Sequence, residues 1–188
     1  MNNISKYLLS LAQNNVVWTL SIFGFLSGIS EAVVFIKPEG WFGPVSPFPG
    51  FVFGLITAIG LYCTLRGKTR YLLLNLMAWI VVSTLSYYLA IIATNAVPSM
   101  FFVGATGSFV LCVGFFLVFT RFHFTYFSLA LFSGGLVAYW FFSIFHGLEI
   151  FGVYPLILLF ALWQTVVMTI FGFALNAGIK KRENRKQE

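Results

Sequence analysis

Three ionisable side chains stand at the ends of otherwise apolar stretches, where they could carry chemistry. Glu31 lies inside one such stretch, and His146 and Glu149 are three positions apart at the end of another. A carboxyl group among apolar residues is costly to keep, so it marks a candidate functional site. The alternative for Glu31 is a neutral, hydrogen-bonded carboxyl group that ties helices together near the interface. Two carboxyl groups and an imidazole that meet at one place could bind a small cationic or neutral solute.

Two tryptophans extend this candidate site. Trp41 lies in the segment 37–50, which is rich in proline and glycine, so we expect it to be non-helical and to fold back as a cap over the helix ends. Trp140 precedes His146 by less than two helical turns and could line an aromatic pocket beside it. The predicted ligand-binding residues are therefore Glu31, Trp41, Trp140, His146 and Glu149.

The sequence offers no motif that names a reaction. It has no aspartate, its two cysteines (Cys63 and Cys112) are far apart, and no phosphate-binding or dinucleotide-binding glycine pattern is present. We therefore predict neither a metal site nor a cofactor, and a protein that is not an enzyme. An intramembrane enzyme with Glu31 and His146 as acid and base is a third hypothesis, which would depend on their geometry.

The composition indicates which kind of structure holds these candidate site residues. Of 188 residues, 60% are hydrophobic and 9% charged, whereas soluble domains carry about 25% charged residues. This excludes a soluble or nucleic-acid-binding protein. Six apolar stretches are long enough, or nearly so, to cross a bilayer as helices: Val16–Ile36, Phe51–Leu65, Tyr71–Ala93, Ser99–Phe119, Phe124–Phe145 and Pro155–Gly178. The second has only fifteen residues, so we expect it to continue into the preceding loop or to run steeply to the membrane normal.

The predicted fold is thus an all-α integral membrane protein with six transmembrane helices in three hairpins. Residues 16–178 form the transmembrane domain. We expect residues 1–15 to lie along the inner interface as an amphipathic segment, and residues 179–188 to form a basic cytoplasmic tail.

The basic residues predict the orientation. Ten of the eleven fall on one side of the predicted spans, and Lys37 alone falls on the other. Because cytoplasmic loops carry an excess of Lys and Arg, both termini are predicted to be cytoplasmic. Short loops favour a bacterial inner membrane, with anionic lipid headgroups as the partner of the basic rim and no nucleic acid.

Small residues recur at four-residue spacing on several predicted helices. In lipid, such residues let helix backbones approach closely, either within one bundle or against a partner subunit or a second copy of the chain. The first predicted helix, with its three small residues, is the best candidate for such docking. The predicted packing or docking residues are Gly24, Gly28, Ala32, Gly54 and Gly134.

In length, number of spans, orientation, small-residue stripe and long first outer loop, the chain resembles the substrate-binding components of energy-coupling-factor transporters. The resemblance implies that Gly24, Gly28 and Ala32 face an energising subunit. The first functional hypothesis is therefore a membrane protein that binds or transports a small solute from the outer side, as the substrate-binding part of a larger transporter. The alternative is a non-catalytic structural or assembly subunit of a membrane complex.

Overall fold

The computed structural model describes residues 10–12, 14–35, 48–96, 99–119, 124–145 and 154–184, and at some helix ends only the backbone. In this part of the chain the long elements are all helices, as predicted. They are α1 (Val16–Phe35), α2 (Phe48–Leu65), α3 (Leu72–Ala96), α4 (Met100–Val118), α5 (Phe124–Phe145) and α6 (Tyr154–Asn184).

Four of these helices are long and apolar enough to cross a membrane. They are α2, α4, residues Leu72–Ala93 of α3 and residues Leu158–Ile179 of α6. The apolar parts of α1 and α5 for which side chains are described, Val16–Ser30 and Phe124–Trp140, are shorter. The chain is therefore indicated to be a helical membrane protein, while the count of six spans and the orientation stay predictions.

Polar and apolar side chains are distributed as lipid surroundings require. Leu73, Leu117 and Phe124 are each more than two thirds exposed on the outside of the bundle. The interior, in contrast, contains hydroxyl and amide groups, which in lipid find partners only inside the protein. The fully or almost fully buried polar residues are Ser27, Thr57, Thr64, Ser83, Ser86, Ser108 and Gln164.

The helices form a closed ring in which each packs antiparallel to the next in sequence and α6 returns to α1. Arg66, Lys68 and Arg70 lie in the turn between α2 and α3, and we call that end of the bundle the basic end. Helices α1, α3 and α5 begin there, and α2, α4 and α6 end there. The opposite end is called the far end.

Three helix boundaries differ from the predicted ones by three residues or more: the start of α2, the end of α3 (Ala96 instead of Ala93) and the end of α6. Helix α2 begins at Phe48, so the short second stretch continues into the preceding loop, as expected, and the last three residues of the segment 37–50 are helical. Pro49 is tolerated because it lies in the first turn, where a backbone N–H has no partner within the helix. Helix α6 continues to Asn184, since residues 179–184 contain neither glycine nor proline and basic residues favour a helix C-terminus.

An aromatic cluster fills the centre of the bundle towards the basic end. It comprises Phe53, Trp79, Phe115, Phe119 and Phe171. The rings of Phe115 and Phe171 are stacked with their centroids 4.5 Å apart, and the indole of Trp79 meets both edge-on. Trp79 is fully buried, and its indole N–H has a hydrogen-bond acceptor on α2.

The indole Nε1 of Trp79 donates to Thr57 Oγ1 at 2.8 Å, and that hydroxyl donates in turn to the backbone oxygen of Phe53 at 2.6 Å. A hydroxyl group of α2 thus accepts the hydrogen bond of the indole N–H carried by α3. This hydrogen bond matters because, inside a membrane, no water is available to pair with an N–H that the protein leaves without an acceptor.

Candidate functional site

A cavity of about 200 Å³ lies in the half of the bundle towards the far end. Helices α2 to α6 surround it, and the aromatic cluster lies between it and the basic end. We call it the far-half cavity. The residues that matter for its chemistry are Ser83, Ser86 and Tyr87 on α3, Gly107 on α4, and Phe160 and Trp163 on α6.

One face of α3 supplies the polar side of the cavity. Ser83, Ser86, Tyr87 and Ala90 follow the spacing i, i+3, i+4 and i+7, which places them on one side of the helix. Ser86 Oγ donates to the backbone oxygen of Gly107 at 2.7 Å, across the α3–α4 contact. The hydroxyl of Ser86 therefore ties two walls together.

Two other polar atoms of the cavity wall are not paired. Ser83 Oγ and Trp163 Nε1 are buried and have no hydrogen-bond partner among the described residues, and Ser83 is only 1% exposed. Leaving a buried donor or acceptor unpaired costs about 1–3 kcal/mol. Ser108 Oγ is also unpaired in the described part of the chain, but it packs against Gly134 and does not line the cavity.

The remaining wall is apolar or aromatic. Phe53 and Leu111 line the cavity on the side of the aromatic cluster, and the rings of Tyr87 and Phe160 lie 6.4 Å apart across its wall. The described lining residues include no charged side chain. Because an ion would lose its hydration here without gaining a counter-charge, the described wall suits a neutral molecule.

The glycines predicted to mediate packing or docking face neighbouring helices of the same chain. A Cβ on Gly24 would lie 2.6 Å from the backbone oxygen of Gln164, and one on Gly28 would meet the backbone of Ala161. The surface that the resemblance assigns to an energising subunit is thus covered by α6 at these two glycines. The side chain of Ala32 lies outside the described residues.

The other two predicted glycines pack in the same way. A Cβ on Gly54 of α2 would lie 2.8 Å from Ile80 Cα of α3, and one on Gly134 of α5 would meet Ser108 of α4. Small residues therefore bring three helix pairs into close contact inside the ring: α1 with α6, α2 with α3, and α4 with α5. The lipid-facing surface is made by larger side chains instead.

The predicted ligand-binding residues are not brought together in the described part of the chain. Glu31 belongs to α1, but its side chain lies outside the described residues, as do Trp41, His146 and Glu149 altogether. Trp140 is described: it is 62% exposed on α5 and does not line the far-half cavity. Their role in ligand binding stays a prediction.

Sequence reasoning missed the cavity residues Ser83, Ser86, Tyr87 and Trp163. The available signal was the polar spacing along α3, where hydroxyl-bearing residues fall on one side of an otherwise apolar helix. That signal is weak, because serine and threonine in helices often bond only to their own backbone. Thr84, next to Ser83, does so by donating to the oxygen of Ile80 at 2.8 Å.

The sequence matches no known protein family, and neither a curated protein nor a solved structure shows significant similarity to it.

Proposed function

We propose that this membrane protein binds a small, neutral, largely apolar solute in the far-half cavity. The observation that carries the proposal is the cavity of about 200 Å³ itself, whose described wall is mostly apolar, includes the polar residues Ser83, Ser86, Tyr87 and Trp163, and carries no charged side chain. A wall that is mostly apolar with a few placed polar groups is the usual design of a small-molecule site.

The size of the cavity limits the solute. An engineered protein cavity of about 150 Å³ takes up benzene, so about 200 Å³ suits a molecule with a single ring or a comparable aliphatic body. A cationic solute, which the sequence also allows, finds no carboxylate among the described lining residues. It would need Glu31 or another acid from outside them.

The distribution of the basic residues indicates the side of the membrane from which the solute would enter the cavity. Arg66, Lys68 and Arg70 at the basic end support a cytoplasmic location for that end, since basic residues accumulate on the cytoplasmic side. The far-half cavity then faces the outer side of what the sequence predicts to be a bacterial inner membrane. The aromatic cluster lies across the way from the cavity to the basic end, which favours a solute-binding component over an open channel.

Transfer of the solute to the inner side would require the aromatic cluster to rearrange. We therefore propose that the chain acts as the solute-binding part of a transporter, with movement of helices or a partner supplying the second step. A structural subunit without a site of its own is the outcome to be distinguished from this.

Binding of defined probes tests the proposal. The protein, purified in mild detergent, is heated with toluene, benzyl alcohol, benzoate or benzylammonium, and its unfolding temperature is recorded. A probe at about ten times its Kd adds about 1.4 kcal/mol of stability, so the neutral probes should raise the temperature and the ions should not. Native mass spectrometry of the same preparation shows whether a small molecule or a protein subunit accompanies the chain.

A variant pair shows whether the probes enter the far-half cavity. Gly107→Leu places a side chain beside Trp163, because a Cβ on Gly107 would lie 3.3 Å from the indole ring. Leu117→Phe enlarges a residue of the same helix that is 74% exposed and faces outward. Stabilisation by neutral probes should be lost in the first variant and kept in the second. Equal stabilisation of both variants, or by ions and neutral probes alike, would contradict the proposal.

A further inference from the structure

We infer that the far-half cavity takes up a straight hydrocarbon chain, and that its solute is a neutral single-chain amphiphile whose polar group stays at the far end. The inference rests on the proposed function and narrows the solute to one chemical class. It is drawn from the surface that the wall presents to the cavity and from the extent of the cavity along the helices.

The surface of the wall that faces the cavity is almost entirely carbon. Ser83 Oγ and Trp163 Nε1 are buried so completely that they are closed off from the cavity space. The hydroxyl of Ser86, which is 2% exposed, donates to the backbone oxygen of Gly107 at 2.7 Å. A polar group of a solute inside the cavity would therefore lose its hydration and find almost no polar surface to pair with. The part of the solute that enters should be hydrocarbon.

The wall extends along the bundle axis. Met100 and Leu111 both line the cavity and are eleven positions apart on α4, which corresponds to about 16 Å at the rise of an α-helix. Ser83 and Ile91 of α3 are eight positions apart, or about 12 Å. A round cavity of about 200 Å³ would measure only about 7 Å across. The cavity is therefore longer than it is wide, and a straight chain follows it better than a branched body.

The position of the cavity indicates where the polar group lies. Met100 is the first residue of α4, and Ile91 lies in the last two turns of α3, so the wall reaches the far end of the bundle. Phe53 and Leu111 form the opposite side, next to the aromatic cluster. Water is available at the membrane surface and not in its hydrocarbon core. The chain therefore enters with its methyl end towards Leu111 and keeps its polar group near Met100.

The fit of the chain supplies the affinity. Lipid tails are as apolar as this wall, so a chain gains no hydrophobic free energy when it moves from the bilayer into the cavity. It gains dispersion contacts instead, because carbon atoms that line a void have no partner on that side. Since such contacts require close approach, the shape of the chain should decide binding.

Two alcohols of the same composition test the shape. n-Octanol is straight and ethylhexanol is its branched isomer, so the two partition similarly into micelles. The Kd of each is measured by equilibrium dialysis against the protein purified in digitonin, with a protein-free micelle control. Digitonin is chosen because its steroid body does not compete as a straight chain. A branch that does not fit overpacks the cavity, so n-octanol should bind about 5- to 100-fold more tightly.

Photolabelling locates the two ends of the chain. Two analogues of n-octanol carry a diazirine, one at the methyl end and one beside the hydroxyl, and mass spectrometry identifies the labelled residues. The first should label Phe53 or Leu111. The second should label Met100 or Ile91, and excess n-octanol should suppress both reactions. Labelling of the outward-facing Leu117, which is 74% exposed, comes from the micelle and should persist.

The outcomes separate the inference from the proposed function. If ethylhexanol binds as tightly as n-octanol, if both analogues label the same residues, or if toluene binds and neither alcohol does, the chain inference is overturned while a neutral binding site stands. If neither alcohol binds and toluene and benzyl alcohol also fail to stabilise the protein, the proposed function itself is overturned.

Discussion

Replacing Gly28 by alanine should destabilise the isolated protein strongly, although it adds a single methyl group. The Cβ of the new residue would lie 2.5 Å from both the backbone nitrogen of Ala161 and the carbonyl carbon of Phe160. Ordinary contact with a Cβ begins at 3.4 Å. Because a Cβ contact shorter than 3.0 Å is essentially never seen, α1 and α6 must separate here by at least about 3.0 − 2.5 = 0.5 Å, and by about 3.4 − 2.5 = 0.9 Å to reach ordinary contact. Backbone atoms cannot rotate away as a flexible side chain can.

Separating α1 from α6 would also lengthen the hydrogen bond between Ser27 and Gln164. Ser27 Oγ donates to Gln164 Oε1 at 2.5 Å, one residue from Gly28 and one turn from Ala161. Moving the helices apart by 0.9 Å would stretch this bond to about 3.4 Å, beyond the usual range for O–H···O bonds. Overpacking costs about 1–3 kcal/mol and an interhelical bond about 0.6–2 kcal/mol. The expected loss in free energy of unfolding is about 2–4 kcal/mol.

Unfolding in mixed micelles measures this loss. Sodium dodecyl sulfate is titrated into the protein in mild detergent, and helix content and tryptophan fluorescence report the transition. Gly107→Ala is the matched control, because it adds the same methyl group to another buried glycine whose nearest neighbours would lie at 3.3 Å or beyond. That variant should stay within about 1 kcal/mol of the unmodified protein.

Unchanged stability of Gly28→Ala would refute the reasoning. It would mean that Gly28 does not pack against α6 in the isolated protein. The glycine face of α1 would then be free to dock an energising subunit, as the resemblance to energy-coupling-factor transporters implies. The experiment thus shows whether the glycines of α1 pack against α6 or are free to dock a partner subunit.

Three further predictions concern stability and orientation. Ser83→Ala should leave the stability unchanged or raise it, since it removes an unpaired hydroxyl, whereas Ser27→Ala should lower it by about 0.6–2 kcal/mol; unfolding titrations of both variants compare them. Thr57→Val should cost about 1–3 kcal/mol because the Nε1–H of Trp79 loses its acceptor inside the bundle, and a stability equal to that of the unmodified protein would show that this bond is unimportant. Lys68→Cys, in a background without the native cysteines, should react with a membrane-impermeant maleimide only from the cytoplasmic side, and labelling of intact cells from outside would reverse the predicted orientation.

The helix positions could be read from the sequence because each depends on a continuous apolar length. Helix α5 spans Phe124–Phe145 in both prediction and structure, and α3 begins at Leu72 where Tyr71 was expected. The boundary of α2 was harder to predict, because a proline pattern suggests a loop, whereas a single proline in a first turn is compatible with helix. Whether Pro49 is compatible with helix depends on its position relative to the first residue of the helix.

The cavity could not be predicted, since it depends on which helix faces lie opposite each other. Gly104 and Gly107 are less than one turn apart on α4, and nothing in the sequence distinguishes them. A Cβ on Gly104 would meet the backbone of Gly134, whereas one on Gly107 would have only ordinary or slightly tight neighbours. One glycine brings two backbones together, and the other leaves space beside a tryptophan.

In a sequence, charged residues are more conspicuous as site candidates than neutral polar ones. A carboxyl group such as Glu31 attracts attention because its burial is costly, and Trp140 was associated with it through its neighbour His146. The described wall of the cavity is mostly apolar, and the unpaired polar groups on its residues, those of Ser83 and Trp163, are neutral. Their cost arises from a missing partner, which only the packed structure reveals.

The closure of the ring by α1 and α6 sets a time order for folding. Ser27 and Gln164 are 137 positions apart, so at a synthesis rate of about 5–20 residues per second roughly 7–27 s pass between the appearance of the two residues. During that interval the serine and the glycines of α1 have no α6 to cover them. The close contact between α1 and α6 can therefore form only after α6 has been synthesised. Synonymous changes that slow translation of the later helices would lengthen this interval and should lower the yield of folded protein without altering a residue.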